Sequence, residues 1–519
     1  MFLLCTFLGP LAAQGEGPSQ WFRDGQAAVA EAKKVQPING RAKNVILFIG
    51  DGMSVTTVTA ARILEGQQRG QPGEENLLSF ETLPYTALIK TYNTNQQTPD
   101  SAGTMTAIVT GVKTKAEVLS LDQRVTLGDH TSVAGRSLPT ILELAERAGL
   151  STGVVTTTTV THATPAACYA HSPHRDWEDD AQLPAQARTA GFPDIARQLI
   201  EFPHGDGLEV VLGGGRRSFL PSGAADPEDA GVRGRRLDGR DLTAEWLHLA
   251  GSAYVWNKNQ LDALDLNVAR RVLGLFESGH MEYEHDRPRD AAGEPSLSLM
   301  TAKAVALLSK NPKGFFLMVE GGRIDHGHHA ANALRALTDT IEFSRAVRVA
   351  MDGVDRRETL IVVTADHSHV FTMAGYPTRG NPILGKVVEN DETGRPQKEP
   401  AKDKHGLPYT TLSYANGPRD PALFVDPHEK SPSTASPPGK ASPTVPCCRP
   451  DLSSVDTTDP RYVQECTVLL ASETHSGEDI PLYADGPQAH LFRGVLEQNV
   501  IFHVMAEALG LSAAAPSEE

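Results

Sequence analysis

Short apolar runs rich in β-branched residues recur from Val45 onward: VILFIG, TALIKTY, GVVTTTT, EVVLGG, FFLMVE and LIVVTAD. Between them, residues 138–148, 298–309 and 330–351 carry apolar positions three and four apart, the spacing of core-facing helices. This alternation predicts an α/β fold with a large central, mostly parallel sheet flanked by helices on both faces. The pattern breaks near Gly375, and from there to about Glu473 Pro, Gly, Lys and Ser dominate, which predicts an insertion within a main domain spanning 40–510. Its most linker-like stretch, 427–446, reads as a mobile Pro/Ser-rich loop. An apolar helix over 488–509 is expected to close the domain, and Ala-rich residues 20–36 form a separate N-terminal helical arm.

Composition narrows the function. The 519 residues carry 48 Lys+Arg against 64 Asp+Glu, a net charge of -16, which repels nucleic acid and anionic membranes at long range. An anionic substrate stays open, because a bound metal reverses the local sign. Residues 1–13 read as a signal peptide with a shortened start, and the expected location is secreted or periplasmic. No later stretch is long and apolar enough for a membrane span, and the C-terminal residues lack the hydrophobic tail of a lipid-anchor signal, so no membrane anchor is expected. Five cysteines are too few and too uneven for a disulfide scaffold or a thiolate zinc site.

Candidate chemistry follows the strands. VILFIG runs into Asp51, FFLMV into Glu320 and then Asp325, and LIVVTA into Asp366 and His367. Ligands of open parallel sheets bind at such strand ends. A single Asp there is ordinarily a cap or turn residue, but three coincident cases point to a site. Asp325 and His329, four apart, share a face if their segment is helical, and His475 can add a further imidazole. Carboxylates and imidazoles without thiolates suit zinc, or magnesium where oxygen dominates. Ser101, after Asp100 and before a segment with helical potential, reads either as an ordinary N-cap or as a nucleophile at a helix N-terminus.

GDGMS (50–54), PDSAGT (99–104), THATPA (161–166), HRDW (174–177), VEGGRIDHGHH (319–329), TADHSH (364–369) and ETHSGED (473–479) occur in the order found in the alkaline phosphatases. Over residues 44–509 the chain resembles the animal-type branch of that family. The resemblance implies a phosphomonoesterase with Ser101 as the nucleophile that becomes phosphoserine. It implies one zinc on Asp325, His329 and His475, and a second on Asp51, Asp366 and His367 that acts on Ser101. It further implies magnesium held by Asp51, Glu320 and Thr164 with His162 close by, and a phosphate grip by Arg175 with His326 near. His162, His328 and His369 also read as hydrogen-bonded histidines lining the pocket. A fourth site, for calcium, is implied at Phe276 (carbonyl), Glu277, Glu294 and Glu228, which read equally as solvated loop groups. Small phosphate monoesters are the implied partners, with a homodimer and no nucleic acid.

The residues also depart from that pattern. Thr110 and Phe192 stand near positions where animal members carry a disulfide, so that bridge is absent; Cys447 or Cys448 remains available to Cys466. The 375–473 segment resembles the family's crown insertion. A phosphodiesterase or sulfatase, and a binding protein without turnover, are the alternatives; the lack of Cys-x-Pro-x-Arg and the complete ligand set weigh against them.

Overall fold

A computed structural model describes residues 17–418 and 449–512. The expected signal segment, the loop 427–446 and Cys447 and Cys448 lie outside the described residues. Residues 1–37 make a unit of their own, whose described part holds the helix Pro18–Ala32 where the arm was expected. None of its residues is buried, and Trp21, Phe22 and Val29 are exposed.

The second unit starts at Ile38. Its strands are β1 (Asn44–Gly50), β2 (Tyr85–Lys90), β3 (Ser151–Thr159), β4 (Val210–Gly214), β5 (Ser252–Val255), β6 (Arg271–Leu275), β7 (Phe315–Gly321), β8 (Thr359–Thr364), β9 (Ser368–His369), β10 (Phe371–Met373), β11 (Leu412–Gly417), β12 (Cys466–Leu469), β13 (His475–Ser476), β14 (Ile480–Asp485) and β15 (Gly494–Glu497). Ten form one helix-flanked sheet in the order β15, β2, β14, β8, β1, β7, β3, β4, β6, β5, and only β14 runs against its neighbours. β3, β7 and β8 are buried along their whole length, and β1 everywhere but its first residue. That is why the sequence shows them as unbroken apolar or Thr-rich runs rather than alternations.

Register brings the chemistry together. β1 sets Ile49 beside Glu320 of β7 and beside Thr364 of β8, and β3 sets Thr156 beside Glu320. The strand ends therefore deliver Asp51, Glu320, Asp366 and His367 to one edge of the sheet. β9 and β13 pair antiparallel with His369 opposite His475, which carries the far end of the 375–473 segment back to that edge. The described parts of this segment are largely irregular, apart from β11 and β12, which form a small sheet with β10.

One expectation fails. Residues 488–509 are not a single helix: a short 3-10 turn at Ala489–Leu491 leads to strand β15, and the helix is Val500–Leu509. Gly494 turns the chain at φ 74°, and the free edge of β2 offers hydrogen bonds that Gly494–Glu497 takes in parallel register. The predicted helix 330–351 likewise starts at Ala333, because Ala331 at φ 48° and the Asn332 cap separate Arg323–His329 from Ala333–Gly353.

Candidate metal centre and nucleophile

Ser101 opens the helix Ser101–Thr110. The cap is Asp100, whose Oδ2 accepts from Ala102 N (3.2 Å) and Oδ1 from Gly103 N (3.1 Å), satisfying donors that a helix start leaves open. The same carboxylate accepts from Asn93 Nδ2 (2.8 Å), Glu117 N (2.9 Å) and Arg175 Nη1 (3.2 Å). One buried group thus fixes both the serine and the arginine. Arg175 is held at a second point, Nη2 donating to His162 Nε2 at 3.0 Å. Ser101 is buried, with Oγ 3.1 Å from His367 Nε2.

Three donors meet on the far side of His367. His329 Nε2 is 3.4 Å from Asp325 Oδ1, His475 Nε2 is 3.4 Å from the same oxygen, and the two imidazole nitrogens are 3.1 Å apart. Tetrahedral zinc with bonds of about 2.05 Å requires ligand separations of about 3.3 Å. The ring tautomers agree. His329 Nδ1 donates to Glu473 O (2.7 Å) and His475 Nδ1 to Pro99 O (2.8 Å), which leaves both Nε2 lone pairs pointing into the triangle. Two facing lone pairs repel unless a cation lies between them, so this set fits a metal.

A second triangle has Asp51 Oδ1 and Asp366 Oδ2 each 3.4 Å from His367 Nε2. Asp366 Oδ1 is taken by Gly52 N and His367 N at 3.0 and 2.9 Å, which aims Oδ2 inward. Gly52 is at φ +66°, and a Cβ there would lie 2.3 Å from the His369 ring, so the turn after β1 accepts only glycine. Neither oxygen of Asp51, nor Asp366 Oδ2, nor Glu320 Oε1 receives a hydrogen bond. The donors of Asp51, Glu320 and His162 form a third group, with Thr164 beside Glu320. Thr156 and Thr158 both donate to Glu320 Oε2, leaving Oε1 for that group.

The charges explain what such a cluster needs. Burial, then Asp366, Asp325 and Glu320, push the Asp51 carboxyl well above its ordinary range, and burial followed by neighbouring carboxylates raises Asp366 and, to about 7, Glu320. Burial likewise drives His367 well below the usual imidazole range and His329 down to about 4. Crowded carboxylates beside neutral imidazoles are relieved together by divalent cations.

Other expected residues fall in different surroundings. His326 sits with His162 and His280, ring centroids 5.8 and 4.5 Å away, and accepts at Nδ1 from Arg323 (2.8 Å). His328 is a buried packing group, 2.9 Å from the Thr57 hydroxyl and 2.8 Å from the Tyr414 hydroxyl. His369 links two carboxylates, Nε2 to Asp325 Oδ1 at 2.7 Å and Nδ1 to Glu473 Oε2 at 2.5 Å. Glu473 was missed as a partner because 104 residues separate it from His369. At the fourth location Glu277 and Asp290 stand within electrostatic reach of both Glu228 and Glu294, and Asp290 was not among the residues expected from sequence. Glu294 Oε1 and Asp290 Oδ2 are buried without hydrogen-bond partners, while Arg216 Nη2 donates to Glu228 at 2.8 Å.

A capped, buried serine beside buried carboxylates and imidazoles grouped so that they could hold divalent metals, with an anchored arginine, fits the class of metal-dependent phosphoryl-transfer hydrolases. The alkaline phosphatase family model matches residues 42–511. The tissue-nonspecific alkaline phosphatase of Gallus gallus is 44% identical over 95% of this chain and 89% of its own, and that of Homo sapiens 42% over 96% and 89%. Among solved structures, Thermus thermophilus alkaline phosphatase is 25% identical with TM-score 0.61, covering 93% of this chain and 94% of its own. That of the Antarctic bacterium TAB5 is 22% identical with TM-score 0.58, covering 92% and 100%, and is a likeness of fold. The chain belongs to the alkaline phosphatase family and is a phosphoric monoester hydrolase.

Proposed function

We propose that phosphate monoesters are hydrolysed through a phosphoserine at Ser101, with Asp325, His329 and His475 holding one zinc, Asp51, Asp366 and His367 a second, and Asp51, Glu320 and Thr164 a magnesium near His162. The observation that carries this reading is the 3.1 Å approach of Ser101 Oγ to His367 Nε2, at the start of a capped helix and against carboxylates that lack donors. When bound, the metals supply the positive charge that favours the serine alkoxide and the leaving alcohol oxygen.

The chain's own residues do the rest. The Asp100 cap takes Ala102 N and Gly103 N and thereby fixes Ser101 at the first position of its helix. Arg175, fixed by Asp100 and His162, offers a pre-set guanidinium to two phosphoryl oxygens. Ser101 Oγ bonds to phosphorus as the bond to the alcohol oxygen breaks and the alcohol leaves with a proton. Water then cleaves the phosphoserine, releasing inorganic phosphate and restoring the hydroxyl.

Calcium at the carboxylates Glu228, Glu277 and Glu294 with the Phe276 carbonyl, a homodimer and export to a secreted or periplasmic location complete the proposal. Two buried oxygens without partners support the first, and exposed Tyr376, Val468 and Leu469 support the second. No helix among the described residues is long and apolar enough to cross a membrane. A solved variant of the TAB5 alkaline phosphatase carries magnesium in its M3 site. The test is p-nitrophenyl phosphate hydrolysis at pH 7 to 10, as purified, after EDTA, and after zinc and magnesium are restored. Loss and recovery are expected; turnover that survives complete metal removal overturns the reading.

A further inference from the structure

Away from the catalytic cluster, donors converge on one oxygen of Glu143. This residue lies in the first turn of the helix Ile141–Ala148, where Oε2 accepts from Thr140 N at 3.3 Å and closes a capping box. Oε1 is left to face His171 Nε2 at 2.8 Å and His204 Nε2 at 3.4 Å. The glutamate is buried and the histidines are partly so, and all three line an open cleft of about 430 Å³ with Arg147 and Gln198.

Hydrogen bonding shows what the cleft lacks. His171 Nδ1 is 2.8 Å from the Ser120 carbonyl, which only accepts, so the ring donates there. A neutral His171 then aims the Nε2 lone pair at a carboxylate oxygen 2.8 Å away, and a proton or a cation must lie between the two. Arg147 runs along His204, Nε 3.3 Å from Nδ1 and Nη2 3.2 Å from Nε2. A neutral imidazole has one lone pair, so one of these contacts sets N–H against N–H. Arg147 also pairs with the carboxylate, Nη2 3.5 Å from Glu143 Oε2, but its side chain is 45% exposed; if it exchanges that contact for solvent and a cation takes its place, both conflicts disappear.

We propose that Glu143 Oε1, His171 Nε2 and His204 Nε2 form a further divalent transition-metal site, of the zinc class, outside the catalytic cluster. The separations of 2.8 and 3.4 Å bracket the value of about 3.3 Å that a tetrahedral zinc imposes. One carboxylate with two neutral imidazoles gives the mixed N/O set that zinc accepts, and the backbone carbonyl on His171 Nδ1 supplies the outer support typical of metal-bound histidine. The cleft leaves the remaining coordination positions to water.

Zinc per chain is counted by mass spectrometry on holoenzyme equilibrated at micromolar buffered free zinc with magnesium present, for wild type, H204A, E143Q and R147A. Wild type and R147A are expected to hold one zinc more per chain than H204A and E143Q. Turnover of p-nitrophenyl phosphate should be unchanged in H204A, which certifies that its fold and catalytic metals are intact. Equal zinc counts in wild type, H204A and E143Q overturn the proposal, since an imidazolium–carboxylate pair then accounts for the geometry.

Discussion

Asp100 carries more of the site than its place beside the nucleophile indicates, and D100A exposes how much. The carboxylate accepts five hydrogen bonds, from Ala102 N, Gly103 N, Glu117 N, Asn93 Nδ2 and Arg175 Nη1. Losing an N-cap costs about 1 kcal/mol. Leaving the Glu117 N–H and the Asn93 amide without an acceptor costs about 1 kcal/mol each, the low end of the usual range, because water can enter the space left. The lost charged bond to Arg175 adds roughly 1 kcal/mol when the group's partial exposure is allowed for. The sum is about 4 kcal/mol, read from denaturant unfolding of metal-loaded protein. D100N keeps the cap and the volume and should lose about half as much. Because Arg175 then keeps only its bond to His162, competitive inhibition by inorganic phosphate should weaken about tenfold, equivalent to about 1.4 kcal/mol. D100A within 1 kcal/mol of wild type, with phosphate inhibition unchanged, would refute the claim that this carboxylate positions serine and arginine together.

Two further outcomes follow from the same geometry. G52A sets a Cβ against the His369 ring at a left-handed backbone position and should displace the Asp51 and Asp366 carboxylates, so soluble protein is expected with turnover reduced at least a hundredfold; near-normal turnover contradicts the assigned turn. Burial first, then Glu209 and Asp206, raise the Glu146 carboxyl from its ordinary 4.5 to about 8, against the opposing bond from Thr152. The folded protein therefore binds a proton the unfolded chain has lost, and this contribution is complete below pH 4.5 and fades as pH rises through about 8. E146Q, permanently neutral, should gain stability relative to wild type between pH 5 and pH 8, measured by denaturation at each pH; a constant difference refutes the assigned protonation.

Sequence made most of the buried parallel strands legible because burial on both faces removes polar positions, and β1, β3, β4, β7 and β8 stand where apolar or Thr-rich runs occur; β6, equally buried but only five residues long and carrying Arg271 and Gly274, was not read. Strands with one wet face were harder to read. β14 contains Pro481, and β15 is a four-residue edge strand with Val495 exposed, so each owes its form to a tertiary neighbour rather than to its own pattern. At the candidate site, groups adjacent in short motifs were named from sequence, including Ser101, Asp366 and His367. Supporting partners were not: Glu473 reaches His369 and Asn93 reaches Asp100 only after the chain folds back. The Glu143, His171 and His204 set has no motif spacing at all, since it joins a helix start to two loops.

The central claim is that phosphoryl transfer passes through Ser101. Metal-loaded protein is mixed with a phosphate monoester, quenched in acid within milliseconds, digested and mapped by mass spectrometry, alongside S101A. The account predicts phosphate on the peptide carrying Ser101, absent from S101A together with at least a thousandfold loss of turnover. Near-full turnover in S101A, or phosphate captured on another residue, would contradict it.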